Sequence, residues 1–172
     1  KLATQQSIKA YADAISGGKV LQCLQVYKQD HFSSSAESWA DVTDMSLAIT
    51  PAATTSKILV IASLTFAATN WHAIKLVRTT TDIMVGNAAT GNQENITISG
   101  VVYEAGAAQY GQTNASPMFL DSPSTSSETT YKVQVYCHDD SNPVYFGRSK
   151  TNYDAVSTGS TPQTLTLIEI GA

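Results

Sequence analysis

Apolar and polar positions follow two different rhythms along this chain. In the first eighteen residues Ile8, Tyr11, Ala12 and Ile15 recur at steps of three and four, which puts them on one face of a helix. Thr4 is placed to cap that helix, and Gly17-Gly18 to end it. So short a helix with one thin apolar stripe is not stable alone in water. The stripe therefore predicts a partner, either the body of the protein or further copies of the same helix in a coiled coil. The position at the end of the chain favours the coiled coil.

From Lys19 onward the period becomes two. Residues 20–27 predict a first strand, Ser33-Ser34-Ser35 a turn, and residues 39–49 a broken strand pair around Asp44. Residues 57–66 form the clearest strand: Ile58, Val60, Ala62, Leu64 and Phe66 share one face, and Leu59 and Ile61 lie on the other. Residues 74–77 and 83–85 predict a hairpin around Thr79-Thr80-Thr81-Asp82. Further strands are predicted at 96–103, 118–120, 131–137, 144–146 and 164–170. In the region of 131–137, Tyr131, Val133, Val135 and Cys137 alternate with Lys132, Gln134, Tyr136 and His138. Short strands between Gly, Pro, Ser and Asn turns, with no strand–helix–strand unit, predict an all-β class. The expected form is an antiparallel β-sandwich or jelly-roll-like head at residues 19–172, behind a helical neck at residues 1–18.

Composition narrows the partners. Charged residues are 14% of the chain, against roughly a quarter in ordinary domains. Ser and Thr fill 40 of 172 positions, which suits strands and turns rather than long helices with paired charges. The net charge is -4 and no basic run occurs, so nucleic acid is not expected as a partner. The longest apolar run, residues 58–62, is far short of the roughly 20 residues that span a bilayer, so membrane insertion is not expected. Cys23 and Cys137 both sit in apolar strand patterns, which predicts two small buried thiols rather than a disulfide. The chain opens at Lys1 with no signal peptide and reads as a piece of something longer.

Catalytic chemistry finds little support. No nucleophile elbow, phosphate loop, dinucleotide fingerprint or zinc-binding helix motif occurs. His31, His72 and His138 lie far apart, so neither a metal nor a cofactor is expected. His138-Asp139-Asp140 is the best acid–base candidate, yet it also reads as a polar turn before Pro143. On a strand the two carboxylates would point to opposite faces, which argues against a glycoside-cleaving pair. Asn95-Ile96-Thr97 and Asn114-Ala115-Ser116 match glycosylation triplets that arise readily by chance in a Ser/Thr-rich chain. The expectation is a protein that is not an enzyme.

Loop aromatics point to binding instead. Asn70, Trp71 and His72 lie where two strands meet, Tyr110 lies in a loop rich in Gly, Ala and Gln, and His138, Asp139 and Asp140 form a turn. Aromatic faces stack on sugar rings while neighbouring amides and carboxylates bond hydroxyls, and binding residues concentrate on loops held by a rigid scaffold. The plainer alternative is that each ring packs its own loop against the sheet. For Tyr110 that alternative, or a contact between subunits, is favoured.

Several blocks together resemble a known family. The opening Leu2-Ala3-Thr4-Gln5-Gln6-Ser7-Ile8-Lys9-Ala10-Tyr11-Ala12-Asp13-Ala14 is similar to the short helix before the distal domain of bacteriophage tail fibers and related virion proteins. Gly17-Gly18-Lys19-Val20-Leu21-Gln22, the stretch from Trp39-Ala40-Asp41-Val42-Thr43-Asp44 through Met45-Ser46-Leu47-Ala48-Ile49-Thr50-Pro51, Ser56-Lys57-Ile58-Leu59-Val60, Phe119-Leu120-Asp121-Ser122-Pro123 with Thr130-Tyr131-Lys132-Val133-Gln134, and Thr164-Leu165-Thr166-Leu167-Ile168-Glu169-Ile170 resemble the blocks that follow, in the same order. The resemblance implies a virion-borne homotrimeric fiber tip, joined to the rest of the fiber at its N-terminus. It implies contact with a host-surface glycan or outer-membrane receptor, and supplies no catalytic residues. Loops 67–73, 104–114 and 138–142 match nothing in the family, and receptor specificity is expected there. A purely structural tip that caps the fiber without binding a receptor is the alternative.

Overall fold

The computed structural model describes residues 5, 6, 18–87, 91, 93–100, 110–151, 156 and 158–171. Of the predicted neck only Gln5, Gln6 and Gly18 are among them, so Ile8, Tyr11 and Ile15 lie outside the described residues. Every element among the described residues from Gly18 onward is a strand. In chain order these are β1 (Lys19–Lys28), β2 (Phe32–Ser34), β3 (Ala40–Ile49), β4 (Lys57–Ala67), β5 (His72–Arg78), β6 (Thr81–Ile83), β7 (Ile98–Gly100), β8 (Thr113–Ala115), β9 (Met118–Asp121), β10 (Thr129–Cys137), β11 (Val144–Phe146) and β12 (Gln163–Gly171). The fold is all-β, as its two-residue rhythm predicts.

The strands form two antiparallel sheets that curl into a β-sandwich-like half-barrel. One has seven strands in the order β1-β12-β4-β11-β2, with β8 and β9 along the free edge of β4. The other has five, in the order β3-β10-β5-β6, with β7 also on β5. The core lies between them. Ile58, Val60, Ala62, Leu64 and Phe66 of β4, with Leu165 and Leu167 of β12, meet Ile74, Leu76, Tyr131, Val133 and Val135 of the smaller sheet. Strict alternation in β10 puts Tyr131, Val133, Val135 and Cys137 inside and leaves Lys132, Gln134 and Tyr136 half-buried on the outer face.

The structure departs from the sequence expectation in several places. The broken pair at 39–49 is one strand, β3, interrupted by a bulge: Ser46 faces Lys132 and Asp41 faces Gln134, with the residues between them bulged out. Asp44 sits in that bulge at φ 61°, a left-handed conformation that a short polar side chain tolerates. The Ser33-Ser34-Ser35 turn is largely strand β2, which pairs with β11 through its backbone, so its hydroxyls do not prevent pairing. Cys23, expected to be buried, is exposed, because it lies opposite Ile168 on the outer side of an edge strand. Cys137 is buried, and both thiols are free.

Two polar clusters tie separate elements together. Asp121 at the end of β9 accepts from Arg78 Nη1 at 2.9 and 2.8 Å and from Tyr131 Oη at 2.7 Å. Glu169 of β12 accepts from Gln22 Nε2 at 2.6 Å and from the amide of Ala52 at 2.7 Å. Burial pushes the Glu169 carboxyl upward, but the Ser56 hydroxyl, Gln22 and the Ala52 amide together outweigh it and hold the group below its ordinary value.

Candidate functional site

The site is built on the outer face of the five-stranded sheet. Period two sends Lys132, Gln134 and Tyr136 of β10 outward beside Val77, Lys75 and Ala73 of β5, their partners in register. Asp41 of β3 stands opposite Gln134, Asp82 of β6 opposite Val77, and Ser99 of β7 opposite Ala73. A row of rings crosses one end of this face. Trp39 lies 5.7 Å from Tyr136, Tyr136 lies 5.7 Å from Trp71, and Trp71 stands edge-on to His138 at 5.9 Å. Trp71, Tyr136 and His138 line a cleft of about 720 Å³, together with Asn87, Gln93 and Glu94 from the segment after β6. That volume lies within the range of small-molecule sites, roughly 300–1,000 Å³.

Two loops hold Trp71 and His138 in place. Asp139 Oδ2 accepts from Asn70 Nδ2 at 3.0 Å and from Asn142 Nδ2 at 2.7 Å, and Asp139 Oδ1 accepts from the amide of Ser141 at 2.9 Å. Thr69 Oγ1 donates to Asn142 Oδ1 at 2.9 Å, and the amide of His138 donates to the carbonyl of Trp71 at 3.2 Å. The hydrogen bond from Asn142 is the main reason the Asp139 carboxyl sits below its ordinary value, helped by those from Ser141 and Asn70. The turn expected at 138–142 is therefore present, and its first carboxylate is spent on loop closure.

Charges below the rings are paired. Lys75 Nζ lies 4.1 Å over the Trp39 ring, 2.8 Å from Asp82 and 3.7 Å from Glu94. Asp41 accepts from Lys132 Nζ at 2.9 Å and Gln134 Nε2 at 2.7 Å, and the Lys132 bond chiefly holds its carboxyl below the ordinary value.

The expected site residues thus separate. Trp71 and His138 meet in the cleft, while Asn70 and Asp139 brace it from the loops. Asp140 is exposed at the turn and accepts from Ser141 Oγ at 3.1 Å. His72 is fully buried, edge-on to Phe66 at 5.0 Å, so its ring belongs to the core and not to this face. Tyr110 precedes β8, a strand of the other sheet. Sequence reasoning missed Trp39, Tyr136, Lys75 and Glu94. Tyr136 did carry a signal, since an aromatic ring in the polar phase of a strictly alternating strand must point outward.

Among the described residues no three His, Cys, Asp or Glu side chains gather as a metal site would need, and no helix is long and apolar enough to cross a membrane. What the face offers is a set of aromatic rings flanked by amides and carboxylates, a combination suited to stacking and hydrogen bonding. No protein-family model matches this chain, and no curated protein matches it either.

Proposed function

We propose that this protein is a non-catalytic adhesive head that binds a host-surface glycan across the ring row Trp39–Tyr136–Trp71–His138. The observation that carries the reading is that row itself, set on a sheet face and open to a cleft with polar walls. Rings on strands and braced loops are held before the ligand arrives, so little ordering cost falls on binding. In the fuller form of this reading the chain is a jelly-roll-like tip of a bacteriophage tail fiber. It works as a homotrimer on the virion, with residues 1–18 as the neck that joins it to the shaft. The resemblance of the sequence blocks supports that form, as does the thin apolar stripe of Ile8, Tyr11 and Ile15.

The other sheet supports assembly. On its outer face Leu59, Ile61 and Ile168 are half-buried, and Tyr27, Met118 and Leu120 are exposed by 55%, 59% and 44%. An apolar sheet face of this kind is a surface that a neighbouring subunit would cover. The same face favours a second reading, in which the head only registers and caps the fiber. A glycan array combined with cell adsorption separates the two. Trp71→Ala and Tyr136→Ala should each weaken glycan capture by about tenfold or more, as loss of a stacked aromatic anchor does. Unchanged adsorption with both variants would leave only the structural role. Light scattering that finds a clean monomer at micromolar concentration would remove the trimer.

A further inference from the structure

Resting on the glycan reading of the same cleft, we infer that the site selects uncharged or amino sugars and turns away acidic ones. The charge distribution around the cleft carries this. Binding an anionic sugar would call for an ammonium or guanidinium group able to reach it. Lys75 is the cation beneath the rings, and its side chain is only 9% exposed. It is covered by Trp39 and held by two carboxylates, Asp82 and Glu94, so this trio carries one net negative charge. Lys132 on the same sheet face is matched by Asp41 at 2.8 Å. Lys150 donates to Thr69 Oγ1 at 3.4 Å, in the loop before Trp71.

Glu94 lines the cleft with Trp71 and Tyr136 and is half exposed there, its side chain 55% accessible. The residues after β6 that line it, Gly86, Asn87, Gln93, Glu94, Ile96 and Ser99, include one carboxylate and no Lys, Arg or His. A carboxylate or phosphate on the ligand would meet this surface with like charge. Like charges brought together without a counterion are a specific penalty against the wrong ligand. A neutral pyranose pays no such penalty, and an amino sugar gains a partner in Glu94.

The test is a binding series on the intact chain at pH 8, where imidazoles are uncharged. It compares glucose and galactose oligosaccharides with glucuronate and galacturonate oligosaccharides of equal length. Neutral oligosaccharides should bind about tenfold or more tighter at low salt, and the gap should shrink at high salt as the repulsion is screened. Glu94→Gln should narrow the gap, and Glu94→Lys should close or reverse it. Acidic and neutral oligosaccharides binding equally well, both lost in Trp71→Ala, would overturn the selectivity while leaving the site standing. If neither class bound, or if Trp71→Ala changed nothing, the glycan reading would fall and this inference with it.

Discussion

Arg78 Nη1 lies 2.8 Å from Asp121 Oδ2, so an ion pair that is largely shielded from water joins β5 of one sheet to β9 of the other. Asp121 is 5% exposed, and it also accepts from the Tyr131 hydroxyl. Burial raises the Tyr131 phenol well above its ordinary range, and the adjacent carboxylate adds to this. The hydroxyl therefore stays protonated and stays a donor. Asp121→Ala would leave a guanidinium and a hydroxyl without their acceptor in the interior. The expected cost is about 3–5 kcal/mol, seen as a lower urea midpoint. Tyr131→Phe removes one donor and should cost about 1–2 kcal/mol. If Asp121→Ala proved neutral, the link would not be stabilising the sheet packing.

His72 predicts a pH dependence. Burial holds its imidazole below the ordinary value of 6.5, against a weaker upward pull from the carbonyl of Asn70. Below pH 6.5 the unfolded chain binds a proton there that the folded chain resists, so folding stability falls as pH drops from that value. Asp41, Asp139 and Glu169 are also held below their ordinary values, but those are 3.8, 3.8 and 4.5, so their losses begin at lower pH. Urea melts at pH 7.5 and 5.5 should show a loss in the natural chain and a smaller one in His72→Phe. Equal slopes in the two proteins would contradict the assignment.

Thr79 marks a strained turn. Arg78 pairs with Thr81, so Thr79 and Thr80 alone connect β5 to β6, and Thr79 has φ 55°. A β-branched side chain is disfavoured in that left-handed region by about 1–2 kcal/mol, whereas asparagine tolerates it. Thr79→Asn keeps the amide that donates to the carbonyl of Thr130 at 2.7 Å. It should stabilise the protein by about 1 kcal/mol, a rise of roughly 2–4 °C in Tm for a chain of this size. A fall in Tm would mean that the threonine side chain makes compensating contacts.

The two thiols should react at different rates. Cys23 is exposed on β1, while Cys137 is buried with its Sγ 3.3 and 3.2 Å from the carbonyls of Asp139 and Asn142. A thiol reagent such as Ellman's should modify one cysteine quickly in the native protein and the second only on unfolding. Cys23→Ser should abolish the fast phase. A fast phase that survives this change would show that Cys137 is reached in the native state. Slow reaction of both thiols would instead fit an assembly that covers β1.

Much of the fold was legible because side chains on a strand alternate between faces, and hydrophobic residues then report which face is inside. That argument separated the two faces of β4 and β10 correctly. It failed at β2, where backbone pairing to β11 overrides a serine-rich sequence, and at Cys23, because period two tells faces apart without saying which outer face is covered. It also failed at His72, a polar residue whose phase on β5 turns it inward against Phe66.

By itself the sequence determined the class of structure, the two faces of its clearest strands and the lack of a motif for catalysis, since each depends on local rhythm and residue type. Only the tertiary structure decided the site. Residues 39, 71, 136 and 138 become neighbours because β10 pairs with β3 on one side and with β5 on the other, and because Asp139 draws the loop after β10 onto Asn70. Strand order and register act over long separations, and no local pattern encodes them.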